Sequence, residues 1–274
     1  MALIPPFFLD CVVSIGVPNP ELVDGICWVG TGFMVGRLVS EMDEERKYTI
    51  WLVTNKHVLK GHREITLRCN LSEVESVIDY PVTLVEDGKE RWVGHPQSEV
   101  DVAVFYINPD VLKKDNATFA FFELDRHVMQ KSDMASEGVS EGDSVFVLGF
   151  PMGIVGPQQK YVIARMGSIA RVRDVINNHG SSFLVDANVF PGNSGGPVVI
   201  RPELSAIDNT KSLCRAALIG IVKSYLSYKD VAVSQQTGRA RVIFEENSGL
   251  AEVETVDSII EAIERCYYSI VQPD

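Results

Sequence analysis

The stretch that most limits how this chain can fold is Phe190-Pro191-Gly192-Asn193-Ser194-Gly195-Gly196-Pro197. It lies between two apolar, β-prone runs, Ser182 to Val189 and Val198 to Ile200. Glycines at such a point predict a sharp strand-to-strand turn whose successive backbone N–H groups face one concavity. A serine hydroxyl at the rim of that concavity can attack a carbonyl. The N–H groups of Gly192 and Ser194 would then receive the developing oxyanion. A tight turn carrying an idle serine explains the same residues, because Ser-Gly pairs are common in turns. What separates the two readings lies upstream.

The rest of the chain reads as short strands. Phe8–Val17 and Ile26–Leu38 come first, and Tyr48–Thr54 is β-branched and aromatic and runs straight into Asn55-Lys56-His57-Val58-Leu59. Val100–Ile107 is apolar except for Asp101, and residues 108–141 are polar, with a linker between two halves expected at roughly 123–141. Strands resume at Ser144–Phe150, Tyr161–Val172, Ser182–Val189, Val198–Ile200 and Leu213–Tyr225, and one more runs from about Ile243 to Val253. From Thr255 the period becomes helical, with Ile259, Ile260, Ile263, Tyr267 and Ile270 on one stripe and Ser258-x-x-Glu261 as a capping box. The expectation is an all-β chain of two β-barrels side by side with a C-terminal α-helix packed on the second. Residues 1–135 would hold His57 and Asp101, and residues 136–274 Ser194 and the helix, together one working domain.

The 274 residues carry 37 acidic and 25 basic side chains, a net charge of −12. That balance argues against a nucleic-acid partner or an anionic membrane surface. No apolar run reaches transmembrane length, and no signal peptide is read at the N-terminus, where Pro5-Pro6 interrupts a short apolar stretch lacking a basic flank. Five cysteines, Cys11, Cys27, Cys69, Cys214 and Cys266, stand at spacings that suggest no zinc site, so neither metal nor cofactor is expected. Free thiols in a reducing cytoplasm are the expectation.

Three side chains complete the constellation. His57 follows the Trp51–Thr54 run, Asp101 opens Val102–Ile107, and Ser194 sits in the glycine turn. A serine needs an adjacent base to be a nucleophile at neutral pH. The base in turn needs a carboxylate that fixes its tautomer and steadies the imidazolium. Each residue also has a plain structural reading: His57 as a core histidine after a strand, Asp101 as a strand-end cap. His62, His95, His127 and His179 read as surface residues.

Taken together, Val53-Thr-Asn-Lys-His57-Val, Asp101-Val-Ala-Val, Gly149-Phe-Pro-Met-Gly153, Asp186-Ala with Pro191-Gly-Asn-Ser-Gly-Gly-Pro197, Ile219-Gly-Ile-Val222 and Ser248-Gly-Leu-Ala251 resemble the chymotrypsin/trypsin-like serine proteases. The likeness is greatest to their bacterial HtrA-like branch, without its PDZ module. The resemblance implies two packed six-stranded antiparallel barrels and an intracellular endopeptidase that acts on protein or peptide substrates through an acyl-enzyme. It implies Ser194 as nucleophile, His57 as base and then acid, Asp101 as the orienting carboxylate, and Gly192-Asn193-Ser194 as the oxyanion segment. For the substrate pocket it implies Asn188 at the base, Val222, Lys223, Ser224 and Tyr225 as the strand that pairs with substrate, and Ala251 as a wall. An uncharged residue before the scissile bond is expected, since Asn188 offers no carboxylate.

The departures from the family also inform. Val58 and Phe190 stand where extracellular members carry cysteines, in keeping with a reducing compartment. Asn193 replaces the aspartate that pairs with a freshly cut N-terminus in zymogens, so activation by such a cut is not expected. Control would rest on narrow specificity, or on an oxyanion turn that a regulatory protein orders, with a flipped Gly192–Asn193 peptide at rest. A protease fold kept as a catalytically idle binding or scaffold module is the alternative.

Overall fold

The computed structural model describes residues 3–42, 45–203, 205–208 and 210–271, the side chains of 269–271 excepted. In chain order the first half runs α1 (Pro6–Asp10), β1 (Val12–Pro18), β2 (Ile26–Met42), β3 (Glu45–Thr54), α2 (Lys56–Leu59), β4 (Glu64–Leu71), β5 (Val77–Thr83), β6 (Val85–Glu86), β7 (Lys89–Glu90), β8 (Val93–Gly94), β9 (Ala103–Ile107), α3 (Pro109–Lys114), β10 (Ala117–Thr118) and β11 (Phe122–Glu123). The second half runs α4 (Lys131–Glu137), β12 (Ser144–Gly149), β13 (Ile163–Arg171), α5 (Arg173–Ile176), β14 (Ser182–Asp186), β15 (Pro197–Ile200), β16 (Ala217–Val233), β17 (Ala240–Thr255) and α6 (Val256–Val271).

The fold is mostly β with a C-terminal helix. Strands β12-β13-β14-β17-β16-β15 close into a six-stranded antiparallel barrel. The first half is a nine-stranded sheet ordered β10-β4-β1-β2-β3-β9-β8, with β5 added on β4 and β11 on β2. It has more strands than the six expected, because short segments at its rims pair with it. One of them, β11, runs parallel to β2 through Phe122↔Val35.

Strand alternation explains why the central strands are apolar on both faces. On β3, Ile50 and Leu52 join a core inside the first sheet with Met34, Ile15, Ile65 and Phe105. Trp51 and Val53 point the other way, into a core shared by both halves. On β16, Ala217, Ile219 and Val222 fill the second barrel. Leu218 and Ile221 face the shared core, beside Phe33, Val35 and Val104 from the first half. The two halves thus meet through a dry layer of large side chains.

Five expectations need correction here. The segment read as the start of the first strand is helical at its beginning: Pro6 opens α1, where a missing N–H costs nothing, and extension begins only at Val12. The C-terminal helix starts at Val256, so Ser258 lies inside its first turn and forms no cap. Its stripe of Val256, Ile259, Ala262, Ile263 and Cys266 enters the core shared by both halves rather than packing on the second alone. Glu264 pairs bidentately with Arg37 of β2, at 2.7 and 2.9 Å. The stretch read as linker holds α4, whose Met134 is fully buried. Finally, His95 is a buried residue, its Nε2 2.9 Å from Glu261 Oε2.

Phe8 is 1% exposed and stacks on Phe122 at 4.6 Å between ring centroids. Phe8→Ala is expected to lower stability by about 3–5 kcal/mol, the usual range for an aromatic lost from a core. Urea unfolding followed by tryptophan fluorescence measures it; a loss under about 1 kcal/mol contradicts the packing described for α1.

Candidate active site

Strand β3 ends at Thr54, and the chain turns through Asn55 into α2, which carries His57 on its first turn. Asn55 is fully buried, and its Nδ2 donates to Asp101 O at 2.6 Å, tying this turn to the residues before β9. Both oxygens of Asp101 then serve His57. Oδ1 accepts from the His57 backbone N–H at 3.2 Å, and Oδ2 lies 2.5 Å from Nδ1. An ionised carboxylate only accepts, so Nδ1 carries the proton and Nε2 keeps its lone pair. Burial pushes the Asp101 carboxyl up. The hydrogen bonds and charge of His57, with the N–H groups of His57 and Lys56, outweigh that and leave it below the ordinary Asp value. The imidazole is half exposed, so its far edge faces the cleft.

Across the cleft stands the glycine turn. Phe190-Pro191-Gly192-Asn193 forms a β-turn closed by Asn193 N–H donating to Phe190 O at 2.9 Å. Gly192 has φ +96°, the conformation required at the third position of a type II turn after proline. A Cβ there would collide with the carbonyl oxygen of Phe150, and one on Gly195 with that of Thr31. The Pro191 carbonyl accepts from Met152 N–H at 2.6 Å. Since C=O and N–H point oppositely across a trans peptide, this bond turns the Gly192 N–H the other way. Among the described residues the N–H groups of Gly192 and Ser194 donate to no protein acceptor, whereas that of Gly195 donates to Val222 O at 3.0 Å. Asn193 therefore adds no donor to the concavity, contrary to its inclusion in the oxyanion segment. Its side chain closes the turn instead, Oδ1 accepting from Phe190 N at 3.0 Å. The peptide bond that sets the Gly192 donor is Pro191–Gly192, not Gly192–Asn193.

Thr31 of β2 holds the turn from beneath. Its Oγ1 donates to Gly192 O at 2.6 Å and accepts from Phe150 N at 3.1 Å. Its backbone N–H donates to Ser194 O at 2.9 Å, and its carbonyl accepts from Thr54 Oγ1 at 2.8 Å. One buried residue of the first half thus fastens the turn of the second. Sequence reasoning passed over Thr31; its position beside Gly30 and Gly32 in an otherwise apolar strand was the available signal.

The cleft between these pieces has a volume of about 410 Å³ and is bordered by His57, Asp101, Val189 to Pro191, Ser194 and Val222 to Tyr225. His57, Asp101 and Ser194 thus share one cleft, and among the described residues no hydrogen bond joins the Ser194 hydroxyl to His57. Val222, Lys223, Ser224 and Tyr225 all line it. Lys223 sends its ammonium to Glu252 at 3.0 Å, to Glu254 at 3.1 Å and to Glu99 O at 3.0 Å, so its charge is committed beneath the cleft. Burial lowers its pKa, and the bonds to these two carboxylates more than offset that. Glu254 is fully buried and also accepts from Asp101 N–H at 3.3 Å, a support that the sequence did not reveal. Asn188 is exposed and does not line the cleft. Val189 N–H donates to Ala187 O at 2.9 Å, a tight turn centred on Asn188, contrary to the pocket-base place that the family resemblance implied for it. Ala251 is fully buried in the barrel core against Val185 rather than a cleft wall. Among the described residues no group of three His, Cys, Asp or Glu side chains stands together as a metal site.

Ionised Asp101 is favoured by the fold, so its contribution is full above the ordinary Asp value of about 3.9 and is lost as pH falls through the lower folded value. The stability difference between the chain and Asp101→Asn is expected to be constant near neutrality and to shrink below about pH 4. Urea unfolding at stepped pH measures it; a difference that grows on acidification refutes the assignment.

Residues 30–202, which include His57, Asp101 and Ser194, match the family described as Trypsin-like peptidase domain. No curated protein matches the chain.

Proposed function

The chain belongs to the trypsin-like peptidase domain family, and we propose that it is a serine endopeptidase working through His57, Asp101 and Ser194. The family carries the general statement, a serine protease acting on peptides. The residue roles rest on one observation: the N–H groups of Gly192 and Ser194 donate to no protein acceptor among the described residues, beside a cleft whose opposite wall is an imidazole oriented by a carboxylate.

The chemistry follows in order. His57 Nε2 takes the proton of the Ser194 hydroxyl as Oγ attacks the scissile carbonyl carbon. The carbonyl oxygen becomes an oxyanion and accepts from Gly192 and Ser194 N–H, donors already oriented before substrate arrives. One such donor is commonly worth about 10²–10³ in rate. Asp101 holds the resulting imidazolium. The imidazolium then protonates the leaving amine, which departs as the C–N bond breaks and leaves the acyl group on Ser194. Water, deprotonated by His57, releases the acyl group by the same steps in reverse. The alignment of Ser194 with His57 tightens when substrate fills the cleft, as catalytic hydrogen bonds often do.

Two finer readings belong to the same proposal. The free thiols of Cys11, Cys27, Cys69 and Cys214, of which Cys11 and Cys69 are buried, fit an intracellular setting. Among the described residues no helix is long and apolar enough to cross a membrane. The oxyanion turn is tied down at rest through Thr31, Met152 and its own Phe190–Asn193 bonds, which favours narrow specificity over a turn awaiting a regulatory partner. Asn193 in place of an acidic residue supports the likeness to HtrA-like members. Residues 1–135 and 136–274 act in this reading as one unit, because the cleft draws on both.

Ser194→Ala is expected to lower peptide hydrolysis by about 10⁶-fold while the melting temperature stays unchanged. Labelling by a fluorophosphonate probe, mapped by peptide mass spectrometry to Ser194 in the parent chain and absent from the variant, checks the same assignment. A parent chain that neither labels nor hydrolyses any member of a peptide library would leave the idle binding module as the correct account.

A further inference from the structure

Strands β16 and β17 are far longer than the barrel requires. β15 pairs with β16 only from Ala217 to Ile221, and β14 pairs with β17 only from Leu250 to Glu254. Beyond those points the two strands continue as a hairpin paired only with itself, from Ser227↔Asn247 to Val233↔Ala240. This arm lies outside the residues that match the peptidase family. It buries no core of its own, and a lone two-stranded hairpin is marginal in water. Yet it displays Tyr228, Val231, Val233, Val242, Ile243 and Phe244 to solvent. Exposed apolar side chains along an unpaired edge are a liability that proteins usually blunt, unless the surface has an occupant.

The arm's position identifies the occupant. The edge of β16 that faces β15 is used at Val222, whose N–H and C=O pair with Gly196 and Gly195 at 2.9 and 3.0 Å. From Lys223 to Val233 no strand covers that edge among the described residues. Its first residues, Lys223 to Tyr225, border the cleft beside Ser194. The free edge therefore begins at the cleft and runs outward without interruption. A polypeptide added antiparallel to β16 would run toward Ser194 in its own N-to-C direction, so the residues preceding the scissile bond would lie along the arm. At about 3.3 Å per residue, the edge from Ser224 to Val233 accepts roughly ten residues. Side chains of that added strand would alternate between the arm's two faces. Tyr228, Val242 and Phe244 lie on one face, and Val231, Val233 and Ile243 on the other.

We propose that this arm is an extended exosite: it captures the segment N-terminal to the scissile bond of an unfolded or disordered protein as an added β-strand, rich in alternating apolar residues. The proposal rests on the endopeptidase reading and gives its substrate class. Main-chain pairing supplies affinity and the apolar faces supply selection, as in other strand-addition sites.

The test uses the full-length Ser194→Ala chain, so that binding is read apart from chemistry. The probe is a fluorescent peptide of about ten residues alternating valine and glutamine. A control peptide replaces each glutamine by proline, which donates no strand hydrogen bond. Two arm variants are compared. One replaces residues 229–245 by Asn-Gly, a turn suited to the paired residues Tyr228 and Glu246. The other is Tyr228→Ser with Phe244→Ser, two exposed positions on one face that leave the backbone intact. Fluorescence anisotropy is expected to show the valine–glutamine peptide binding at least about tenfold more tightly than the proline control, with the difference lost in both variants. Equal binding of the two peptides, or a preference that survives removal of the arm, overturns the exosite. So does an arm whose removal only converts a dimer to a monomer by sedimentation, which would make a second copy the occupant. Fluorophosphonate labelling of arm-truncated chains retaining Ser194 reports the endopeptidase reading separately: labelling with no peptide preference sinks the exosite alone, and peptide preference without labelling sinks the chemistry alone.

Discussion

The buried hydroxyl of Thr31 is the contact on which the rest of this structure depends. Through its side chain and main chain it meets Gly192, Phe150, Ser194 and Thr54, and so joins two strands of the first half to two turns of the second. Each such bond has a net worth of only about 1 kcal/mol, but a buried group left without its partner costs about 1–3 kcal/mol. Four linked bonds in a dry site therefore set the turn's geometry more firmly than they add to stability. The glycines at 192 and 195 follow from the same closeness, since the carbonyls of Phe150 and Thr31 occupy the space where side chains would stand.

Around that node the packing is organised in three layers. One core fills the first sheet, another the second barrel, and a third lies between them. The third layer receives Trp51 and Val53 of β3, Val104 of β9 and Leu218 and Ile221 of β16, and α6 closes it with its apolar stripe. The ion pair of Arg37 with Glu264 and the contact of His95 with Glu261 fasten the same helix to the first half. The loop that presents Asp101 thus has its backbone held by Asn55 and Glu254 and its neighbour His95 held by α6.

Much of this was legible in the sequence, for identifiable reasons. Tyr48–Thr54 could only be a buried strand, and Pro191 before Gly192 could only make a turn with a left-handed third residue. His57, Asp101 and Ser194, which the fold brings to one cleft, could be singled out because their residue types are constrained by chemistry rather than by packing. What failed depended on local breaks in periodicity. A tight turn at Asn188 sets that residue outside the cleft, which position relative to Ser194 alone could not show. That the Lys223 ammonium is committed to Glu254, thirty-one positions away, could not be read from local spacing. The arm was not anticipated, the strand readings ending at Tyr225 and resuming near Ile243, because Ser227, Lys229, Asp230 and the Ser234-Gln-Gln-Thr-Gly238 run interrupt the apolar pattern. Its strands are held by pairing with each other and not by a core, so no burial pattern marks them. His95 looked like a loop residue, since nothing local points to Glu261.

The division of the cleft between two halves has a consequence for how the molecule ages and fails. His57 and Asp101 are carried by the first half, Ser194 by the barrel of the second, and neither half holds both sides of the proposed reaction. A molecule in which each half is intact but the dry layer between them has loosened would keep its circular dichroism and lose its cleft. Inactivation on storage or mild heating should therefore run ahead of unfolding, with the fraction of molecules open to an active-site titrant acting as a gauge of how well the two halves remain seated.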